Sequence, residues 1–214
     1  MSSPDDEPVP AEGPAEAAPE PRPGIRRVLV RFVVVSGLVV ADLWSKSAVF
    51  GWLGQRPEGM LRDSHGHLRQ ELVGEWLAFM LSYNPGMAWG FDGLPPWLLV
   101  GGRGVAVVFL GWLIARASPA RPVLSLSLLL ILAGAIGNLH DNLFLEPRAE
   151  GARFGEVRDF IDVYFSVWDW HFPTFNVADS CITVGAVLLF LSSFAPAPSP
   201  DPPPDPAGNR PARS

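Results

Sequence analysis

Four apolar segments, residues 28–50, 96–115, 122–139 and 177–194, alternate with polar loops and are bracketed by polar ends. Residues 180–191 hold no charged side chain at all, and Asp179 stands at their mouth. Such segregation suits lipid, where a spanning helix must be apolar on all sides. At about 1.5 Å rise per residue, roughly 20 residues cross the hydrocarbon core. The first two segments reach that length. The third and fourth hold eighteen residues each, which is adequate if their flanking polar motifs sit at the interface.

The net charge of -6 is unevenly spread: Asp5, Asp6, Glu7, Glu12, Glu16 and Glu20 precede any base. Fifteen arginines and the single lysine, Lys46, are scattered, so no patch suits nucleic acid. Cys181 is the only cysteine, which excludes an internal disulfide; on an apolar segment it reads as a packing residue. The Pro-rich stretches 1–24 and 195–214 bury too little apolar surface to order themselves and are expected to be disordered. A membrane domain over residues 25–194 lies between them. Arg22, Arg26, Arg27 and Arg31 flank the first segment, and no small-residue cleavage site follows, so an uncleaved anchor is expected.

Four spans put both termini on one side and the long loops, 51–95 and 144–173, on the other. Arginine counts differ little between the sides. The density in the six-residue connection 116–121 and at the N-terminal flank places the termini in the cytoplasm. Within the first long loop, Leu77, Phe79, Leu81 and Tyr83 recur with period two, which predicts a short strand over residues 77–83 ended by Asn84-Pro85-Gly86. Trp76, Trp89 and Trp97 suit a water–lipid interface.

Several polar residues sit where apolar ones are expected. Asp42 and Lys46, four apart, share a helix face and read either as a structural ion pair or as part of a site. Asn138 and Asp141 close the third segment, as end caps or as groups turned into the bundle. Gly134 and Gly137 beside them allow a close helix approach. Asp159 and Asp179 fall on the long-loop side at similar depth, with Asp162 as a competitor. Two carboxylates brought together cannot easily both ionise. One can then take a proton from water while the other gives one to a carbonyl. His65-Gly66-His67 lacks a companion ligand cluster and reads as surface loop, and His140 has no clear partner.

In order, the motifs "ADLWSK", "NPGMAWG", "GNLHDN", "VRDFID" and "FNVAD" resemble those of bacterial lipoprotein signal peptidase (signal peptidase II) over about residues 27–194. The resemblance implies an all-α integral membrane protein of four transmembrane helices, with a small extracytoplasmic β-cradle and a periplasmic helix or loop. It implies a multi-pass aspartic endopeptidase of the bacterial inner membrane, with its site near the outer face. Such an enzyme cuts diacylglyceryl-modified prolipoproteins before the lipidated cysteine. It would act as a monomer among membrane lipids, without metal or cofactor. The catalytic pair implied is Asp159 and Asp179. Asn84, Gly86, Asn138, Asp141, Asn142, Asn176, Ala178, Asp42 and Lys46 would contact substrate or support the site, with Asp162 in a supporting place.

Two departures stand out. The family pattern carries Arg where this chain has Asn142, and the connection from Asp141 to Asp159 is longer than the family's. One of Arg103, Arg148, Arg153 or Arg158 is expected to supply the missing charge. Two rival classes remain open: a lipoprotein-binding relative without activity, and a small proton-coupled carrier using Asp42, Asp159 and Asp179. No internal repeat supports the carrier.

Overall fold

The computed structural model describes residues 22–55, 68–85, 95–148 and 150–194. Gly86, Trp89, the His65–His67 pair and nearly all of both Pro-rich ends lie outside the described residues. Four helices form: α1 (Ile25–Gly54), α2 (Pro96–Arg116), α3 (Pro122–Phe144) and α4 (Val177–Ser192). Between them lie strands β1 (Arg69–Val73), β2 (Leu77–Asn84), β3 (Val157–Phe165) and β4 (Trp170–Phe175). Among the described residues there is no further helix corresponding to the expected periplasmic one.

Local chemistry sets the helix ends. Proline opens α2 and α3, where the missing N–H costs nothing. Asn176 caps α4 in a reciprocal box with Asp179. The helices α1, α2 and α3 are long and apolar enough to cross a membrane. At 16 residues, α4 is shorter than the eighteen expected and extends about 24 Å. By contrast α3 runs 23 residues, past the expected end at 139, because "NLHDNLF" continues its helical turns.

α3 is the centre of the bundle. Half of its apolar window is buried, against 17% and 11% for α1 and α2. Val35, Ile114, Leu128, Leu129 and Leu132 join α1, α2 and α3 in one core. Val33, Val40, Val105, Val108, Val184 and Val187 face outward, as a lipid-facing surface requires.

The contact between α3 and α4 depends on glycine. A Cβ at Gly134 would run into the Ala178 carbonyl oxygen and the Ile182 side chain. A Cβ at Gly185, from the other side, would lie 2.8 Å from the Ser127 carbonyl. Backbone cannot yield as a side-chain tip can. Gly134→Val is therefore expected to cost about 1–3 kcal/mol or more. The apparent Tm in detergent should fall by several degrees, whereas Gly111→Ala, facing open space, should leave it nearly unchanged. Equal Tm values for the two variants would show that the helices are not in close contact there.

The sheet is antiparallel with order β1-β2-β3-β4. β2 matches the strand expected from its alternation, and three further strands join it. The signal for β3 is hidden because Val157 and Asp159 are buried on one face while Phe160 and Asp162 are buried on the other. β4 contains Pro173, which a strand tolerates at a sheet edge. Phe160 packs with Val49 and Leu53, and Phe50 meets Tyr83 edge to face at 5.1 Å. The sheet is thus fixed to the C-terminal end of α1.

Candidate active site

The C-terminal half of α1, the end of α3, the start of α4 and strand β3 converge on one buried polar cluster. Lys46 is fully buried. Its Nζ lies 2.8 Å from Asp42 Oδ2 and 3.4 Å from Asp141 Oδ2, and donates to Asn138 Oδ1 at 3.0 Å. The four-residue spacing of Asp42 and Lys46 thus forms the ion pair, and the pair also reaches α3. Asp42 Oδ1 accepts the backbone N–H of Ala178 at 2.9 Å, joining α1 to the first turn of α4. Gly137 leaves room for this carboxylate; a Cβ there would stand 2.5 Å from Asp42 Oδ2.

Asp159 and Asp179 are brought together through Asn176. The Asn176 Nδ2 donates to Asp159 Oδ1 at 2.6 Å, while its Oδ1 accepts the Asp179 N–H at 2.9 Å. Asp179 Oδ2 in turn accepts the Asn176 N–H at 3.2 Å, and Asp179 Oδ1 accepts Asn138 Nδ2 at 2.7 Å. The other Asp159 oxygen accepts Asn84 Nδ2 from β2 at 3.0 Å. One asparagine therefore caps a helix and holds both carboxylates.

Burial first, and the neighbouring Asp179 charge second, push the Asp159 carboxyl up to about 7 against the opposing pull of the Asn84 and Asn176 amides. Charge balance leads the same way. Asp42, Asp141, Asp159 and Asp179 face Lys46, Arg158 and Arg103, so full ionisation leaves one negative charge in excess.

Asp162 is elsewhere. Three residues from Asp159 on one strand, it points to the opposite face. Arg69 Nε and His171 Nδ1 each lie 2.8 Å from its oxygens. Neither Arg69 nor His171 stood out in the sequence, because only the pairing of β1 and β4 around β2 and β3 brings them near Asp162.

Of the four arginines considered, two reach the cluster. Arg158 donates from NH2 to Asp141 Oδ1 at 2.9 Å and from its backbone N–H to Oδ2 at 3.0 Å. Arg103 of α2 donates to Asn142 Oδ1 and interacts electrostatically with Asp179 and Asp159. Asn142 uses its Nδ2 on the Gly155 carbonyl at 2.7 Å, which anchors the long connection before β3. Arg148 instead lies 3.9 Å over the Tyr83 ring. Among the described residues, no hydrogen bond joins the Arg153 side chain to these acids. Nor does any group of three or more His, Cys, Asp or Glu there form a metal-ligand set.

Comparison with known proteins places this arrangement. The family model described as signal peptidase (SPase) II matches residues 34–195. A lipoprotein signal peptidase of Burkholderia ambifaria is 40% identical over 124 residues, 56% of this chain and 68% of that protein. One of Streptomyces coelicolor is 36% identical over 177 residues, 83% of this chain and 76% of that protein. A solved bacterial membrane enzyme, crystallised by the in meso method, superposes with a TM-score of 0.59 at 21% identity. It covers 82% of this chain and 92% of its own, and it supports the fold. The five ordered motifs agree with a family match across most of α1, the other three helices and the whole sheet, and this chain belongs to the signal peptidase II family.

Proposed function

We propose that this chain is an intramembrane aspartic endopeptidase that removes the signal peptide from diacylglyceryl-modified prolipoproteins, with Asp159 and Asp179 as its catalytic pair. The observation that carries the reading is that Asn176 donates to both carboxyl groups, from its Nδ2 to Asp159 and from its backbone N–H to Asp179, within a family shown to be signal peptidase II. Asp159, raised to about 7, is the proton donor to the scissile carbonyl oxygen. Asp179 takes a proton from water as the water oxygen attacks the carbonyl carbon. When the tetrahedral intermediate collapses, one of its hydroxyls returns a proton to the ionised Asp159 as C=O re-forms, the C–N bond breaks, and the leaving nitrogen takes the proton held by Asp179, which restores both acids. Lys46, Asp42, Asp141, Asn138 and Asn142 hold together the helices around the pair, of which α4 carries Asp179, and Asn84 fixes Asp159 of β3 from the neighbouring strand.

Membrane placement follows from the helix ends. The start of α1, the end of α2 and the start of α3 meet at one end through Arg31, which donates to the Ile114 and Ala117 carbonyls at 2.9 Å and to Ser125 at 3.0 Å. The catalytic cluster lies at the other end with the sheet. In the proposed arrangement α4 is the fourth span, both termini are cytoplasmic, and the sheet forms a cradle at the outer face of the inner membrane. The short α4 is completed by interfacial residues: Trp168, Trp170 and Phe172 are exposed on the β3–β4 hairpin beside its start. There the acyl chains of the substrate stay in lipid while water reaches the pair.

The test is cleavage of a diacylglyceryl-modified prolipoprotein by purified enzyme in detergent, read as a gel mobility shift. Release of the signal peptide supports the proposal. Substrate binding without release would favour the non-catalytic relative. The pH profile tests the proton assignment. The rate should fall as pH rises through about 7, where Asp159 loses its proton. Asn84→Ala removes a donor that favours the charged carboxylate, so this alkaline limb should move to higher pH. A limb that moves to lower pH would contradict Asp159 as the acid.

Arg103 takes the place of the family arginine absent at Asn142. Arg103→Gln should reduce the rate about 10-fold or more, on the scale of a lost charged hydrogen bond, whereas Arg153→Gln should not. Equal rates for both variants would remove Arg103 from the site.

A further inference from the structure

A second polar feature lies at the end of the bundle opposite the catalytic cluster. Arg26, Arg27 and Arg31 of α1 line a cavity of about 610 Å³ whose other walls include Val30, Leu126 and Leu129. Along α3, the cavity at Ser125 and the cluster at Asn138 are separated by 13 residues, about 20 Å. The cavity is therefore not part of the cleavage site.

Its charge is uncompensated among the described residues. Arg27 and Arg31 repel each other. Among the described residues, no carboxylate forms an ion pair with any of the three arginines. Arg31 is committed to the Ile114 and Ala117 carbonyls and Ser125. Arg26 and Arg27 are exposed and, among the described residues, make no side-chain hydrogen bond. Two free guanidinium groups thus stand over an apolar floor where membrane-crossing helices begin and end. Arginine forks match phosphate oxygens, and a floor of Val30, Leu126 and Leu129 matches acyl chain.

We propose that this cavity binds one anionic phospholipid, with Arg26 and Arg27 on its phosphodiester and the first acyl methylenes on Val30, Leu126 and Leu129. Arg31 braces the helix ends that form the walls. A lipid held there would tie α1 to the α2–α3 turn at the membrane surface. Basic pockets between spanning helices are known to select acidic headgroups in this way.

The test uses the full-length protein in detergent, with bound lipid counted by native mass spectrometry. Phosphatidylglycerol and phosphatidylcholine with identical acyl chains are titrated in parallel. Wild type should retain phosphatidylglycerol on the order of tenfold better. Arg26→Gln combined with Arg27→Gln should abolish that preference, while Arg153→Gln, at the other end, should keep it. Equal retention of the two lipids by wild type would overturn the proposal, as would an unchanged preference in the double variant. Displacement by equimolar glycerol 3-phosphate would assign the cavity to a free phosphate and overturn the lipid assignment. Preference that arises only after deletion of residues 1–20 would assign it to the chain's own acidic segment, with the same consequence. Tm of each variant, expected to match wild type within a few degrees, separates lost binding from lost fold.

Discussion

Asp159→Asn and Asp179→Asn are each expected to lower the cleavage rate by at least about 10³-fold, towards the upper range for a positioned acid or base. Asparagine keeps the shape of the carboxyl group, so packing is kept, but at position 159 its Nδ2 faces one of the two amide donors, Asn84 or Asn176, that the carboxyl oxygens accepted. The proton supplied or accepted is what disappears. Asp162→Asn is the contrasting case. It weakens the contacts to Arg69 and His171 on the far face of β3, so its effect should fall on stability. Rates per folded enzyme, with folding measured by thermal unfolding in detergent, separate the two. Near-wild-type cleavage by either Asp159→Asn or Asp179→Asn, or a rate loss confined to Asp162→Asn, would remove the proposed pair.

Lys46→Met should produce the largest loss of stability. The ammonium is fully buried and is shared by Asp42, Asp141 and Asn138, which come from two helices. Methionine fills similar space but leaves Asp42 without its cation and facing the like charge of Asp141. Removing one partner of a buried pair costs about 3–5 kcal/mol, because the remaining charge stays desolvated. The apparent Tm should fall by about 10 °C or more. Adding Asp42→Asn to Lys46→Met removes the orphaned charge and should restore part of that loss, a coupling that a double-mutant cycle measures. Asp141 keeps Arg158 in either variant, which is why the rescue is made at Asp42. A Tm for Lys46→Met within about 2 °C of wild type would mean that the cluster contributes little to the fold.

Much of this was legible in the sequence for simple reasons. Apolar length marks a membrane helix whatever its neighbours, so α1 and α2 fall near their expected positions. A spacing of four places Asp42 against Lys46 on any helix, and period two marks β2. The charge-free run after Asp179 likewise places that acid at the start of α4, whereas the reciprocal cap it makes with Asn176 is seen only in the structure. The order of the five motifs pointed to the family, which the match over residues 34–195 establishes.

Other features required the folded chain. Asp159 and Asp162 look alike in "VRDFID", and only strand pairing separates them: one turns to Asn84 and Asn176, the other to Arg69 and His171. Arg103 stood out only as a charge inside an apolar segment, and Arg158 looked no different from Arg148 and Arg153, until tertiary packing brought Arg103 and Arg158 to the acids and left the others away from them. β4, carrying Pro173, is recognisable as a strand only as the edge partner of β3. Local periodicity is set by rise and rotation along one element, so the sequence by itself determined the apolar helices, the alternation of β2 and the i,i+4 pair. Which buried charge meets which depends on contacts between residues distant in the chain, and on desolvation that exists only once the helices and sheet have closed around them. The tertiary structure alone decided those pairings.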